Sequence, residues 1–237
     1  IFGDLWRWVN PWAGLYRIIN APPVFTLPGR IGTVPAIVAF IGFAAFALAD
    51  LAPNDPARLA RVVAGYWVYT FTGMMLFGGR EWLARGECFT LLLGAYARLS
   101  PIGFRDGKLC VGMPGWQLAD APPATIGGGV FILVVLANGA FDGLNETFWW
   151  LDQIGVNPLE FPGRSAVVGA TLTGLVAAAM VLPVIFAVIV GFGLRLAGER
   201  AKMAAAFGRL SLAVLPIALA YHFSHFLSLL LVNGQYA

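Results

Sequence analysis

The chain has 237 residues, of which 59% are hydrophobic and only 11% charged, with a mean hydropathy of +0.78. A soluble domain carries about a quarter charged residues, so that class is excluded and an integral membrane protein, with the lipid bilayer as its first partner, is implied. The net charge of +3 is too small for a nucleic-acid footprint, and its uneven spread along the chain makes it a topology signal instead.

Taken in order, residues 1–33 mix Trp6, Trp8 and Trp12 with Arg7 and Arg17, a combination suited to the headgroup layer. An interfacial helix is predicted from about Pro11, with Asn10 as its N-cap. Residues 1–9 read as the tail of an earlier span, in a chain that opens at Ile1 without a Met and is expected to be incomplete. Spans are predicted at about 34–51 and 60–77, separated by the turn Ala52-Pro-Asn-Asp-Pro56; the second is the more polar. The segment from Arg80 to Arg98 contains an apolar run, Cys88–Ala97, that is too short to cross and predicts an interfacial or half-inserted helix. An Asp106-Gly107 pair within Phe104–Val111 signals a short β-hairpin in the loop 78–124.

Three further spans follow, at about 125–150, 165–194 and 208–233. The Trp149-Trp150 pair closes the first, and Pro183 kinks the second. Gly127-Gly-Gly129 marks a helix start or a close-packing point, and Gly169, Thr173, Gly174 and Ala178 offer a helix-docking face. The fold class is therefore all-α, a polytopic membrane helix bundle of about five transmembrane helices with interfacial helices and a short cytoplasmic hairpin, in a single membrane domain over 1–237. Twelve of the lysines and arginines lie in 1–33, 78–126 and 195–209, and three, Arg58, Arg61 and Arg164, in the other connections. That bias puts the N-terminal side in the cytoplasm and the C-terminus outward. Cys88 and Cys110 then face the reducing side as free thiols, being too few for a disulfide framework or a thiolate metal site.

Both histidines, His222 and His225, fall inside the last span, and Asp142 and Glu146 fall in the third. Ionisable side chains at that depth are costly and need partners. Counted from the inner ends of two spans running the same way, Asp142 is about fifteen residues in and His222 about fourteen, each roughly 20 Å along the axis. His222 and His225 share one helix face; Asn138, Asp142, Asn145 and Glu146 share another. If these faces meet, His222, His225, Asp142 and Glu146 form a donor set suited to Zn, Mn or Fe, and a metal with an open position acidifies a water for attack on an ester. The plainer reading is a hydrogen-bonded network tying helices together. Haem or another porphyrin is disfavoured, because two histidines on one face cannot take both axial positions. Asn145-Glu-Thr147 matches a glycosylation sequon at the edge of a span.

Trp8-Val-Asn-Pro-Trp12, Phe77-Gly-Gly-Arg-Glu-Trp82, Gly86-Glu-Cys-Phe89, Phe141-Asp-Gly-Leu-Asn-Glu-Thr147 and Ala220-Tyr-His-Phe-Ser-His-Phe226 together resemble the bacterial multi-spanning proteins known as fenitrothion hydrolases. The resemblance implies a membrane-associated activity toward organophosphate triesters, in a protein extending beyond both ends of this chain. It brings no catalytic residues with it. Two functions stay open: a metal-dependent hydrolase of apolar esters in the bacterial inner membrane, and a non-catalytic accessory subunit of a larger respiratory, photosynthetic or transport complex. A transporter ranks behind both, since no repeat or pair of broken helices is visible.

Overall fold

The computed structural model describes residues 3–19, 21–105, 107–160, 163–199 and 202–236. The chain divides into two compact units, Ile1–Ala121 and Pro122–Ala237.

The first unit begins with a short helix α1 (Trp6–Val9), a 3-10 turn (Pro11–Ala13) and α2 (Gly14–Ile19). The predicted cap is present: Asn10 accepts the Trp12 N–H at 2.9 Å, with Pro11 in the first helical position. Helix α3 (Val34–Ala49) leads through an Asp50–Arg58 ion pair of 2.9 Å to α4 (Pro56–Phe77). Asp55 caps α4 by accepting the Arg58 N–H, and Pro56 fits the first turn because its missing N–H has no partner to lose there.

A further helix, α5 (Gly79–Arg85), precedes a break at Gly86-Glu87, after which the predicted short helix forms as α6 (Cys88–Ala97). The core of the unit lies where α5 meets α4, with Trp82 packed against Ala13, Leu27 and Met74. The indole fits only because its neighbours lack side chains: a Cβ on Gly73 would lie 2.0 Å from the ring, and one on Gly86 2.5 Å. The Arg85 guanidinium pins the connection before α3 by donating to the carbonyls of Leu27 (3.2 Å), Pro28 (2.8 Å) and Gly32 (3.2 Å).

The hairpin forms as predicted. Strands β1 (Ile102–Arg105) and β2 (Lys108–Val111) are antiparallel, with Phe104 opposite Leu109 and Arg105 opposite Lys108. Gly107 supplies the left-handed φ of 76° that a two-residue turn requires; Asp106, its predicted partner, lies outside the described residues. Helix α7 (Trp116–Ala119) follows.

In the second unit, α8 (Ile126–Asn145) is the central helix, burying Phe131, Ile132, Leu133, Val134, Val135 and Phe141 against α10 (Arg164–Leu196), α11 (Met203–Ala213) and α12 (Leu215–Asn233). Two boundaries differ from expectation. The third span stops at Asn145 instead of 150, because Thr147 accepts the Trp150 N–H and starts a separate helix, α9 (Phe148–Gln153). The last span is broken at Val214, just before Pro216, into α11 and α12.

Of the small residues on α10, Gly174 receives the Phe141 ring, to which a Cβ would approach 2.5 Å, whereas Gly169 has open space. Pro183 is buried within a continuous helix, on a stripe with Thr171, Leu175, Ala179 and Val190. The remaining faces present Val176, Met180, Val184, Val188 and Phe192 outward, the pattern of a helix solvated by lipid.

Among the described residues, four helical runs are long and apolar enough to cross a membrane: Gly29–Ala49, Ile126–Asn145, Arg164–Leu196 and Met203–Val232. The chain is thus an all-α, multi-pass membrane helix bundle. The second of the five expected spans, α4, has 22 residues and so the length, but Arg58, Arg61, Tyr66, Tyr69 and Thr70 dilute its apolarity.

Placing a methyl group at Gly73 drives it into the Trp82 ring. Gly73→Ala should therefore lower stability by about 1–3 kcal/mol, read as an earlier thermal transition in detergent, whereas Gly65→Ala on the same helix, where a Cβ meets nothing within 4 Å, should match or exceed the parent.

Candidate functional site

Two polar centres stand out, one in each unit. The second unit holds the expected histidines. Its helices α8 and α11–α12 run parallel, since their contacts advance in step: Gly129 lies against Phe207 and Ser211, Gly139 against Tyr221, and Asp142 against His225. Close approach depends on glycine, for a Cβ at Gly129 would lie 2.8 Å from the Phe207 ring and one at Gly208 2.1 Å from the Ala124 carbonyl oxygen.

His225 Nδ1 lies 2.7 Å from Asp142 Oδ2, an imidazole N–H donating to a carboxylate between two spans. The carboxylate side chain is 16% exposed and the imidazole 52%. The two faces, whose meeting the spacing left open, touch at this pair, but the register differs by nearly one turn, because Asp142 was expected level with His222. Seating of Gly208 against Ala124, together with the break at Val214, sets the register and brings His225 to that level. His222 lies one turn earlier, where Nδ1 donates to the Ala218 carbonyl at 3.1 Å.

Glu146 is exposed and sits at the C-cap of α8, where the helix has already ended, so it does not continue the Asp142 face by a further turn. Asn145 donates from its amide to the carbonyls of Phe141 (3.3 Å) and Asp142 (2.9 Å) on its own helix. Asn138, one turn before Asp142, has a buried amide oxygen for which no hydrogen-bond partner is found among the described residues. Of His222, His225, Asp142 and Glu146, the structure therefore joins His225 and Asp142. Among the described residues no three His, Cys, Asp or Glu side chains are grouped to hold a metal ion. Two donors fall short of the three that an open catalytic zinc site uses, so the set does not fit a metal as assembled.

The first unit contains a centre that the spacing did not reveal. Glu87 is fully buried at the N-cap of α6, where its carboxylate accepts the N–H groups of Phe89 (2.9 Å) and Thr90 (2.6 Å). It also accepts the hydroxyls of Tyr66 and Thr90. The Thr90 oxygen in turn accepts the Trp6 indole N–H (3.2 Å) and the Asn10 amide N–H (3.1 Å). On the other side, the Tyr66 oxygen accepts the Cys88 backbone N–H at 3.2 Å and lies 3.2 Å from its Sγ. Tyr69 adds a hydroxyl shared between the carbonyls of Gly86 (3.0 Å) and Pro35 (3.1 Å).

The chain from Trp6 to Cys88 thus ties the N-terminal segment, α4 and α6 together. Burial pushes the Cys88 thiol up to about 12, with the neighbouring Glu87 acting in the same direction against the hydrogen bond from Tyr66. Burial also raises the Tyr96 phenol. The available signal was Glu87 itself, an acidic residue standing directly before an apolar helical run.

These features define a polytopic α-helical membrane protein carrying two internal polar nodes, one saturated and one built on an imidazole–carboxylate pair. No family model, curated protein or solved structure matches the chain.

Removing the Glu87 carboxylate leaves the buried Tyr66 and Thr90 groups without their acceptor. Glu87→Ala should cost about 3 kcal/mol or more, measured by thermal unfolding in detergent. The buried Cys88 should resist maleimide in the folded protein and react only on unfolding, while the half-exposed Cys110 labels. Because the folded Cys88 thiol holds its proton to about 12, against 9.0 ordinarily, its contribution to stability is complete below pH 9 and is lost as pH rises toward 12. Cys88→Ala should flatten that part of the stability–pH curve.

Proposed function

We propose that this chain is a membrane-embedded hydrolase of apolar esters, acting in the bacterial cytoplasmic membrane with its N-terminal side inward. The observation that carries the reading is the 2.7 Å bond between His225 and Asp142. A carboxylate that receives one imidazole N–H fixes the tautomer and orients the ring as a general base. In this reading His225 takes a proton from water as the water attacks an ester arriving from the lipid, and returns that proton to the departing alkoxide as the ester bond breaks; Asp142 is the positioning residue. The buried Asn138 oxygen, one turn away, is a ready acceptor for that water. Ionisable groups retained between membrane helices are functional by default, and the resemblance to fenitrothion hydrolases favours an organophosphate triester as substrate. Orientation rests on the twelve-to-three distribution of basic residues.

A second reading, an accessory subunit of a larger membrane complex, is favoured by the low burial of two spans, 22% of the apolar window in both Gly29–Ala49 and Arg164–Leu196.

Purified protein in lipid vesicles should hydrolyse a chromogenic organophosphate triester. His225→Ala should reduce kcat by about 10²-fold or more, and Asp142→Asn should reduce kcat with KM held. Parental turnover in either variant refutes the dyad as the centre. An inactive parent that purifies only as part of a larger assembly supports the subunit reading instead.

A further inference from the structure

The hairpin β1–β2 divides its side chains between two faces. Register places Phe104 opposite Leu109 and Ile102 opposite Val111, and alternation puts all four on one face. Three of the four are uncovered, Phe104 being 75% exposed, Leu109 64% and Val111 77%, with Met113 just beyond at 80%, while Ile102 is half-buried. The other face carries Gly103, which packs against Gln117, and the pair Arg105 and Lys108. Two cations directly opposite one another on a strand pair repel, and the contact of Arg105 with Asp120 (3.3 Å) is a surface one between exposed side chains.

An apolar face backed by paired cations is the pattern of an element lying in the membrane interface, its apolar side in the acyl boundary and its basic side chains reaching back to headgroups. A bilayer is always within reach, because the chain enters the span Ile126–Asn145 shortly after the hairpin.

We infer that the hairpin is a membrane-surface anchor, with Phe104, Leu109 and Val111 inserted and Arg105 and Lys108 bound to anionic lipid headgroups. The inference draws on the multi-pass architecture and is independent of the Asp142–His225 dyad. An anionic lipid phosphate placed between the two cations removes their repulsion, while the apolar side chains leave water.

The test uses full-length protein with Cys110→Ser, in which the buried Cys88 stays unlabelled. An environment-sensitive fluorophore is attached singly at Phe104→Cys, Leu109→Cys, Val111→Cys or Lys108→Cys, and the protein is reconstituted in phosphatidylcholine vesicles with or without phosphatidylglycerol. Probes at 104, 109 and 111 should be quenched several-fold more by lipid-attached quenchers than the probe at 108, which should respond to aqueous iodide. The contrast should grow with phosphatidylglycerol, and Arg105→Ser with Lys108→Ser should abolish that growth. Iodide quenching equal at all four sites overturns the anchor. Apolar-face probes shielded from both quenchers also overturn it, since a protein then covers the face. Indifference to phosphatidylglycerol overturns the headgroup contact.

Discussion

A polar group held in hydrocarbon has no water to turn to, so every such group retained there must be answered from within the chain or be costly. Much of this structure follows from that constraint. Thr173 folds its hydroxyl back onto the carbonyls of Gly169 (2.9 Å) and Ala170 (3.0 Å), and Asn145 and His222 do the same to the preceding turns of their own helices. Such a back-bond satisfies the polar atom from its own helix and does not by itself join two elements. Glu87 and Asp142 are different, because each is answered from another element. Those answers hold α4 to α6 in one unit and α8 to α12 in the other.

Legibility in the sequence followed the range of the interactions. The Asn10 cap, the helix Cys88–Ala97 and the hairpin around Gly107 came out as expected, since each is decided by residues within a few positions of one another. The breaks were harder to see. The run from Thr125 to Trp150 reads as one span closed by its Trp pair, but Thr147 caps a new helix directly after the polar Asn145 and Glu146. The halves of the final span are continuous in hydropathy and are divided at Val214 before Pro216. Glu87 was passed over because its importance lies in Tyr66 and Asn10, far away in sequence.

For the histidines, spacing identified the right faces but not their register. Counting residues from the end of a span assumes that both helices begin at one level. The true level is set by glycine contacts: Gly208 seats against Ala124, and Gly139 against Tyr221. A displacement of three residues along a helix is about 4.5 Å, enough to exchange one histidine for another without moving the helix axes. A Cβ at Gly139 would lie 3.0 Å from Tyr221 Cβ, tighter than ordinary contact, so the same approach that fixes the register also lets Asp142 and His225 meet directly.

The two carboxylates then differ in what they leave for chemistry. A carboxylate has about four acceptor positions. Glu87 fills them with two backbone N–H groups and two hydroxyls in a site closed to solvent, an arrangement that holds helices but has no capacity left for a substrate. Among the described residues, Asp142 receives the His225 imidazole N–H, remains partly accessible, and stands one turn from the buried Asn138 oxygen, for which no partner is found among them. Saturation makes the first a strut; the second is bonded to a ring on another helix, with lone pairs that a proton-transfer role would draw on. The number of lone pairs already engaged, and not the mere burial of a carboxylate, is what distinguishes them.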